Sequence, residues 1–187
     1  MRLLILGPPG AGKGTQSSRI AEHYGIAAIS TGDIFRENIR NETELGLQVK
    51  EVLASGGYVS DEITNAIVEE RLGQDDCGQG FLLDGYPRTL AQVEALDGIL
   101  GARGTALDHV LELTVDDEVV VARLLKRAQV EGRVDDTEAV IRERMAIYHQ
   151  ETKPLSDTYR ERGLLVEVDG LGDVDLVTKR ILTALTP

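Results

Sequence analysis

The 187-residue chain has little of several features that would point to other classes of protein. Its one cysteine, Cys77, excludes an internal disulfide, and no Cys/His cluster has the spacing of a zinc site. No stretch approaches the roughly 20 apolar residues of a membrane-spanning helix, and the apolar run after Arg2 is too short for a signal peptide. We therefore expect a cytoplasmic protein with no zinc and no membrane partner.

Positive charge is also scarce, because 20 Lys and Arg residues stand against 32 Asp and Glu residues, a net charge of −12. Nucleic acid and anionic membranes repel such a protein, so we expect neither as a partner. If the chain binds a polyphosphate, its few cations must be concentrated in one cleft. The chain is also short enough that one compact domain is expected over residues 1–187.

A glycine-rich loop with the sequence GPPGAGKGT, at residues 7–15, is the most informative feature that is present. It follows the apolar run 3–6, which is typical of a buried parallel strand, and precedes a helical pattern at 16–24. Glycines let backbone N–H groups wrap a polyphosphate, and the helix N-terminus adds free donors and the positive end of its dipole. Lys13 supplies a mobile charge for the outer phosphates. A phosphate-binding loop is therefore favoured over a turn that binds nothing.

The loop departs from the common pattern directly after its lysine. Most such loops have Ser or Thr there, and that hydroxyl binds magnesium. In this chain Gly14 stands at that position and Thr15 follows it. We therefore do not expect the loop to ligate a metal directly.

Strand and helix patterns alternate along the chain, which predicts an α/β fold. We expect a three-layer sandwich, with a five-stranded parallel sheet between two layers of helices. Two consecutive helices without an intervening strand predict a small inserted lobe at 31–60, and a short connection at 127–136 joins two long helices. The further strands are predicted at 27–30, 80–84, 109–113 and 164–168. The further helices are predicted at 33–40, 45–54, 60–72, 89–100, 116–128, 137–162 and 174–185.

Polar residues follow two of these strands, at the edge of the sheet where ligands of α/β proteins bind. Thr31 and Arg36, one helical turn apart, have the groups to hold a second phosphate-bearing ligand, although an ordinary helix N-cap also explains the hydroxyl. Asp84 stands at a strand tip, where an acid typically orients magnesium or its waters. Arg88 has the planar fork that suits a phosphate. Gln92 has the donor and acceptor to read a purine edge, or it completes a capping box with Thr89.

A group of arginines flanks the short connection. Arg123 and Arg127 share one helix face, residues 128–132 separate Arg127 from Arg133, and Arg142 and Arg144 lie on the next helix. In an acidic protein each of them has the alternative of a solvated ion pair of little energetic value. Their position instead favours closure over the phosphate loop.

Two motifs together identify a family. The run Asp-Gly-Tyr-Pro-Arg at 84–88 and the loop at 7–15 are similar to the signatures of the adenylate kinases, within the nucleoside monophosphate kinases. The chain resembles that family over nearly its whole length. The resemblance implies the reversible reaction ATP + AMP = 2 ADP by direct in-line transfer of a phosphoryl group. This reaction would maintain adenine nucleotide homeostasis, and magnesium would be bound together with ATP. The resemblance also implies a monomer and a cis Tyr86–Pro87 bond.

The resemblance assigns residues to each substrate. The loop amides and Lys13 would hold the ATP phosphates, Arg123 would stack on the ATP adenine, and Asp84 would act on magnesium through its bound water. The implied ATP-binding residues are Gly10, Ala11, Gly12, Lys13, Gly14, Thr15, Arg123, Arg127 and Gly170. The implied AMP-binding residues are Thr31, Arg36, Tyr58, Val59, Gly85, Arg88, Gln92, Arg133 and Arg144. The implied catalytic residues are Lys13, Asp84, Arg88, Arg123, Arg133 and Arg144.

Two alternatives are weighed against this reaction. In the long form of the family, a lid of about thirty residues, sometimes with a zinc site, separates the segments that carry Arg127 and Arg133; here only residues 128–132 do, which is the short-lid form and leaves no room for zinc. The uridylate/cytidylate kinases share this short lid, but they typically carry Ala at the position of Thr31 and Asn at that of Gln92. A nucleotide-switched, GTPase-like module would need an Asn-Lys-x-Asp motif to read guanine, and this sequence has none. The first comparison favours AMP as the acceptor, and the second argues against a switch that reads guanine.

Overall fold

The computed structural model describes residues 1–131 and 137–186. Its centre is a sheet in the order β2-β3-β1-β4-β5 in which all neighbouring strands are parallel. The predicted strands are confirmed, and their ends shift by at most one residue. The strands are β1 (Arg2–Leu6), β2 (Ala27–Ser30), β3 (Phe81–Asp84), β4 (His109–Thr114) and β5 (Leu165–Asp169).

Helices cover the sheet, and side-chain oxygens cap the N-termini of most of them. Ser30, Thr89 and Asp173 each accept a hydrogen bond from a main-chain N–H in the first turn of the helix that follows. The helices are α1 (Lys13–Tyr24), α2 (Thr31–Arg40), α3 (Glu44–Ala54), α4 (Asp61–Leu72), α5 (Leu90–Ala102), α6 (Asp117–Glu131), α7 (Glu138–Ile147), α8 (Leu155–Glu161) and α9 (Val174–Leu185). A 3₁₀ turn spans Asp75–Cys77.

The alternating side chains of β1 divide the core into two layers. Leu3 and Ile5 pack on one face of the sheet with Ile20 of α1 and Ile181 of α9. On the other face, the neighbouring side chains of β1 pack with α4, α5 and α8 through Val68, Leu96 and Leu155. The three-layer α/β sandwich predicted from the sequence is therefore confirmed.

Helices α2 and α3 pack on each other beside the sheet. Phe35 and Val49 are buried there with Val59, and partly buried side chains from α2, α3 and α4 surround them. These helices lie within the predicted lobe at 31–60, and its independence as a domain remains a prediction.

Two helix predictions need correction. The single helix predicted at 137–162 is wrong, because α7 ends at Ile147, a π-helical turn spans Tyr148–Thr152, and α8 begins at Leu155. Pro154 explains the break, since proline has no N–H to donate within a helix. Helix α6 continues to Glu131, so part of the predicted connection at 127–136 is helical. Arg133 lies outside the described residues.

Candidate active site

The glycine loop joins β1 to α1 at the carboxyl edge of the sheet. The first main-chain bond of α1 runs from the Gln16 N–H to the Gly12 carbonyl at 3.1 Å, and no side chain caps the helix. The earlier N–H groups of the turn therefore have no helical acceptor, and they lie where residues 12–15 line a cleft. This arrangement suits an anion.

Gly10 shows why the loop needs glycine. Its φ is +86°, and a Cβ there would lie 2.8 Å from Leu124 Cγ of α6. A side chain at this position would be strained and would also collide with α6. The loop can therefore lie directly against α6, which carries Arg123 and Arg127.

Lys13 closes the loop on itself. Its Nζ donates to the carbonyls of Gly7 and Pro8 at 2.8 and 3.0 Å. The pKa of Lys13 is lowered to about 8, mainly by burial; the charge of Asp84 opposes this shift, and the charges of Arg88 and Arg127 add to it. Below that pH the lysine is a cation next to the free amides of the loop.

Asp84 ends β3 and lies opposite Ile5 of β1 and Ser30 of β2 in the sheet register. Its Oδ2 points at the first turn of α1, since a Cβ on Gly14 would lie 3.8 Å from it. Burial raises the pKa of Asp84, and the charges of Lys13 and Arg88 counteract that shift. The carboxylate thus stands between the loop and the second half of the cleft.

Arg88 is fixed by neighbours on that second half. Its Nε donates to the Gly85 carbonyl at 2.8 Å, and its guanidinium carbon lies 4.9 Å from the centroid of the Tyr58 ring. The Thr31 hydroxyl donates to the same Gly85 carbonyl at 3.0 Å. Gly85 has a φ of +83°, and a Cβ there would lie 2.8 Å from Thr31 Oγ1, so this junction also requires glycine. The adjoining Tyr86–Pro87 bond is cis, which confirms the expectation.

Gln92 is 1% exposed, and both ends of its side-chain amide have partners. Its Oε1 accepts from the Arg88 N–H at 2.7 Å, and its Nε2 donates to Asp61 Oδ1 at 2.8 Å. Thr89 caps the Gln92 N–H at 3.2 Å, but the Gln92 side chain does not return to the Thr89 N–H as in a capping box. The second Nε2 hydrogen takes part in neither of these bonds, and Gln92 lines the cleft.

Arg123 lies beside the glycine loop. Its guanidinium donates to the Ala11 carbonyl at 3.4 Å and to the Gly170 carbonyl at 3.2 Å. The planar group therefore bridges the loop and the segment that follows β5. Arg127 and Arg144 line the cleft as well, whereas Arg142 pairs with Glu138 on the surface at 2.6 Å.

A single cleft of about 1170 Å³ unites these groups. Ala11 and Gly170 border it without lining it, and the other implied site residues within the described chain all line it. Eight cationic side chains face three carboxylates there, so positive charge is concentrated in a protein of net charge −12. The cations are Lys13, Arg36, Arg40, Lys50, Arg88, Arg123, Arg127 and Arg144, and the acids are Asp33, Glu37 and Asp84.

Sequence reasoning assigned no role to several polar residues that line the cleft, among them Arg40, Lys50, Tyr148 and Thr152. Arg40 was detectable, because it stands four residues after Arg36 on the same helix face. One feature of the sequence pointed to Thr152. The proline two positions later marks the end of a helix, and at that end Thr152 turns inward. We find no comparable signal for Lys50 or Tyr148.

Within the described residues, no cluster of three or more His, Cys, Asp and Glu side chains could hold a metal ion. None of the helices in this part of the chain has the length and apolar character needed to cross a bilayer.

The parallel sheet, the uncapped glycine loop at its carboxyl edge and the cation-lined cleft define a phosphate-loop nucleotide-binding protein of the kinase type. A family model described as "Adenylate kinase" matches residues 5–164. The adenylate kinase of Leifsonia xyli subsp. xyli is 62% identical over 183 residues, which cover 98% of this chain and 92% of that protein. The adenylate kinase of Nocardioides sp. is 58% identical over 185 residues, which cover 99% and 97%. The chain belongs to the adenylate kinase family.

Proposed function

We propose that this chain is an enzyme that transfers the terminal phosphoryl group of ATP directly to AMP, giving two ADP, in a reversible reaction that balances adenine nucleotides. The observation that supports this most strongly is the continuity of the cleft. One end has the free amides of the glycine loop, the other has arginines, and Asp84 stands between them. Two phosphate-bearing ligands that enter from opposite ends would meet near this carboxylate.

The first end of the cleft would bind ATP mainly through main-chain groups. Apart from Ala11, whose N–H donates to the Pro8 carbonyl at 3.1 Å, the amides of residues 10–15 would hold the polyphosphate. Lys13 would leave the loop carbonyls to pair with the outer phosphates. Arg123 has its flat guanidinium between the Ala11 and Gly170 carbonyls, which suits stacking on adenine. Arg127 would add charge to the same phosphates.

The other end of the cleft would bind AMP mainly through side chains. Arg36 and Arg88 would hold the acceptor phosphate, Arg144 would reach it from α7, and Gln92 would offer its remaining amide hydrogen to the base. Thr31 would act beside Gly85, and the main chain at Tyr58 and Val59 would border the adenine. Arg133, which the structure does not describe, would add to the charge at the transferring group.

The transfer itself needs no base, because the acceptor phosphate is already anionic at neutral pH. Its rate depends on in-line positioning and on neutralising charge in the transition state. Lys13, Arg88, Arg123 and Arg144 would supply that charge, together with Arg133. No Ser-His or Cys-His pair that would act as an activated nucleophile is apparent in the sequence, which agrees with this chemistry.

Magnesium is expected to enter with ATP. One carboxylate at the strand tip, pointing at the first turn of α1, fits a residue that orients metal-bound water rather than one that ligates the ion. Asp84 would hold that water, and bound magnesium would screen the phosphate charges. We further expect the chain to act as a monomer in the cytoplasm, with ATP, AMP and ADP as its partners.

A panel of acceptors tests the proposal. Purified protein with ATP and magnesium should form ADP with AMP far faster than with UMP, CMP, GMP or dAMP. The double variant Thr31→Ala, Gln92→Asn carries the residues typical of pyrimidine kinases and should lose at least about tenfold of its preference for AMP over UMP. No turnover with ATP and AMP would end the proposal, and a preference for UMP by the unaltered protein would favour a pyrimidine kinase instead.

A further inference from the structure

Thr152 makes two hydrogen bonds at the inner end of the π-helical turn. Its Oγ1 donates to the main-chain carbonyl of Arg88 at 2.9 Å and lies 2.7 Å from the phenol oxygen of Tyr58. The one proton of Thr152 goes to the carbonyl, so Tyr58 is the donor in the second bond. Thr152 is 6% exposed, so water does not readily replace these partners.

Tyr58, which is bonded to Thr152, contacts the guanidinium end of Arg88. The guanidinium lies 4.9 Å from the centroid of the tyrosine ring, within the range of a cation–π interaction, and Nε donates to the Gly85 carbonyl. Arg88 is therefore held at its main-chain carbonyl, at Nε and over its guanidinium plane. The Thr152 hydroxyl makes the first of these contacts itself, and the third comes from the Tyr58 ring, whose phenol is bonded to the same hydroxyl.

The π-helical turn explains why Thr152 faces inward. The Lys153 N–H bonds to the Tyr148 carbonyl at 2.8 Å, five residues back, so this turn holds one residue more than an α-helical turn. Pro154 then ends the turn before α8 begins. Such turns recur at functional sites, because they redirect a side chain without ending the helical path.

We propose that Thr152 is a positioning residue, which acts through Tyr58 and the Arg88 main chain to aim the Arg88 guanidinium at the acceptor phosphate. This inference rests on the proposed function, in which Arg88 acts on the transferring group. It gives the Tyr58 side chain a role separate from that of its main chain beside the adenine. A chain with a smaller residue at position 58 would have to hold its arginine differently.

The test is a double-mutant cycle between Thr152 and Arg88. Thr152→Val keeps the side-chain volume and removes the hydroxyl, Thr152→Ser keeps the hydroxyl, and Arg88→Ala removes the guanidinium. In the unaltered background, Thr152→Val should lower kcat about tenfold and leave the KM for ATP within about twofold. Thr152→Ser should stay within about threefold of the parent. In the Arg88→Ala background, Thr152→Val should not lower kcat any further.

The outcomes separate this inference from the proposed function. A parent that does not form ADP, or an Arg88→Ala variant as active as the parent, contradicts the proposed function. If both of those behave as expected, an equal loss from Thr152→Val in both backgrounds contradicts the positioning role, and so does no loss at all. Should Thr152→Val fail to fold, Tyr58→Phe removes a single oxygen, keeps the ring under Arg88, and should show the same dependence on Arg88.

Discussion

The two ends of the cleft are built by different means. At the end assigned to ATP, the phosphate-binding part is a run of consecutive residues, 7–15, whose donors are main-chain amides and Lys13, and Gly10 lies directly against α6. The end assigned to AMP is assembled from side chains on separate elements, including Thr31, Arg88 and Thr152, which hydrogen bonds join to one another. A site made of amides depends on local backbone conformation, whereas a site made of side chains depends on how the whole chain packs.

This difference predicts how each end responds to change. Truncating one side chain should damage the AMP end, because its groups hold each other in place. The glycine loop has side chains of this kind only at Lys13, so the ATP end should tolerate truncations better outside Lys13, Arg123 and Arg127, and the loop should instead be sensitive to any Cβ that alters its backbone.

Arg88→Ala should have the largest effect of these changes. Removing this cation from the acceptor side should lower kcat by about 10²–10³ while the protein stays folded. Steady-state kinetics with both substrates measures it, and the KM for ATP should change little. Arg19→Ala is a matched control, since Arg19 pairs with Asp175 on the surface, and it should stay within about twofold. A mild loss in Arg88→Ala would assign Arg88 a structural role.

Adding one methyl group at either end of the cleft should weaken the binding of one substrate and leave that of the other unchanged. Gly10→Ala and Gly85→Ala both force a positive φ on alanine and create a Cβ contact of 2.8 Å. A strain of this kind corresponds to roughly ten- to a hundredfold in affinity. We expect Gly10→Ala to raise the KM for ATP and Gly85→Ala to raise the KM for AMP.

The control for this pair is Gly98→Ala, in the exposed face of α5, where a Cβ would have no atom within 4 Å. It should leave both KM values unchanged and stabilise the helix slightly. If each glycine variant weakened the binding of both substrates equally, the two ends of the cleft would not be independent.

A smaller effect should follow from pH. Burial lowers the pKa of Lys13 to about 8, so its cationic form predominates below that pH and its neutral form above it. The value of kcat/KM for ATP should therefore fall as the pH rises through about 8, to about a quarter of its low-pH value at half a pH unit above it. The affinity for AMP alone, measured by calorimetry over the same range, should change less. A profile for ATP that stays flat to pH 10 would mean that Lys13 keeps its proton.

The parts of the molecule that could be predicted from sequence are those that short runs of residues determine. Buried strands are recognisable as apolar runs, and the glycine loop combines spacing, lysine and flanking elements in one stretch, so both were located to within a residue or a few. The long helix predicted at 137–162 failed because helical periodicity continues past Pro154 and hides the π-helical turn. The family resemblance supplied the residues of the AMP end that periodicity alone left open.

What remained hidden depends on contacts between distant segments. Nothing near Thr152 in the sequence indicates that its hydroxyl meets Arg88 and Tyr58, since the packing of the π-helical turn on the β3–α5 junction creates that contact. The two interpretations of Gln92 could not be separated either, because its amide partners are Asp61 and the Arg88 main chain.

A calorimetric titration with two adenosines joined through five phosphates tests most directly whether one cleft holds both nucleotides. We expect one molecule of this analogue to bind per chain, to exclude ATP and AMP together, and to bind more weakly to Arg88→Ala. Absence of binding, or an analogue that displaces ATP and leaves AMP bound, would contradict a single cleft with two ends.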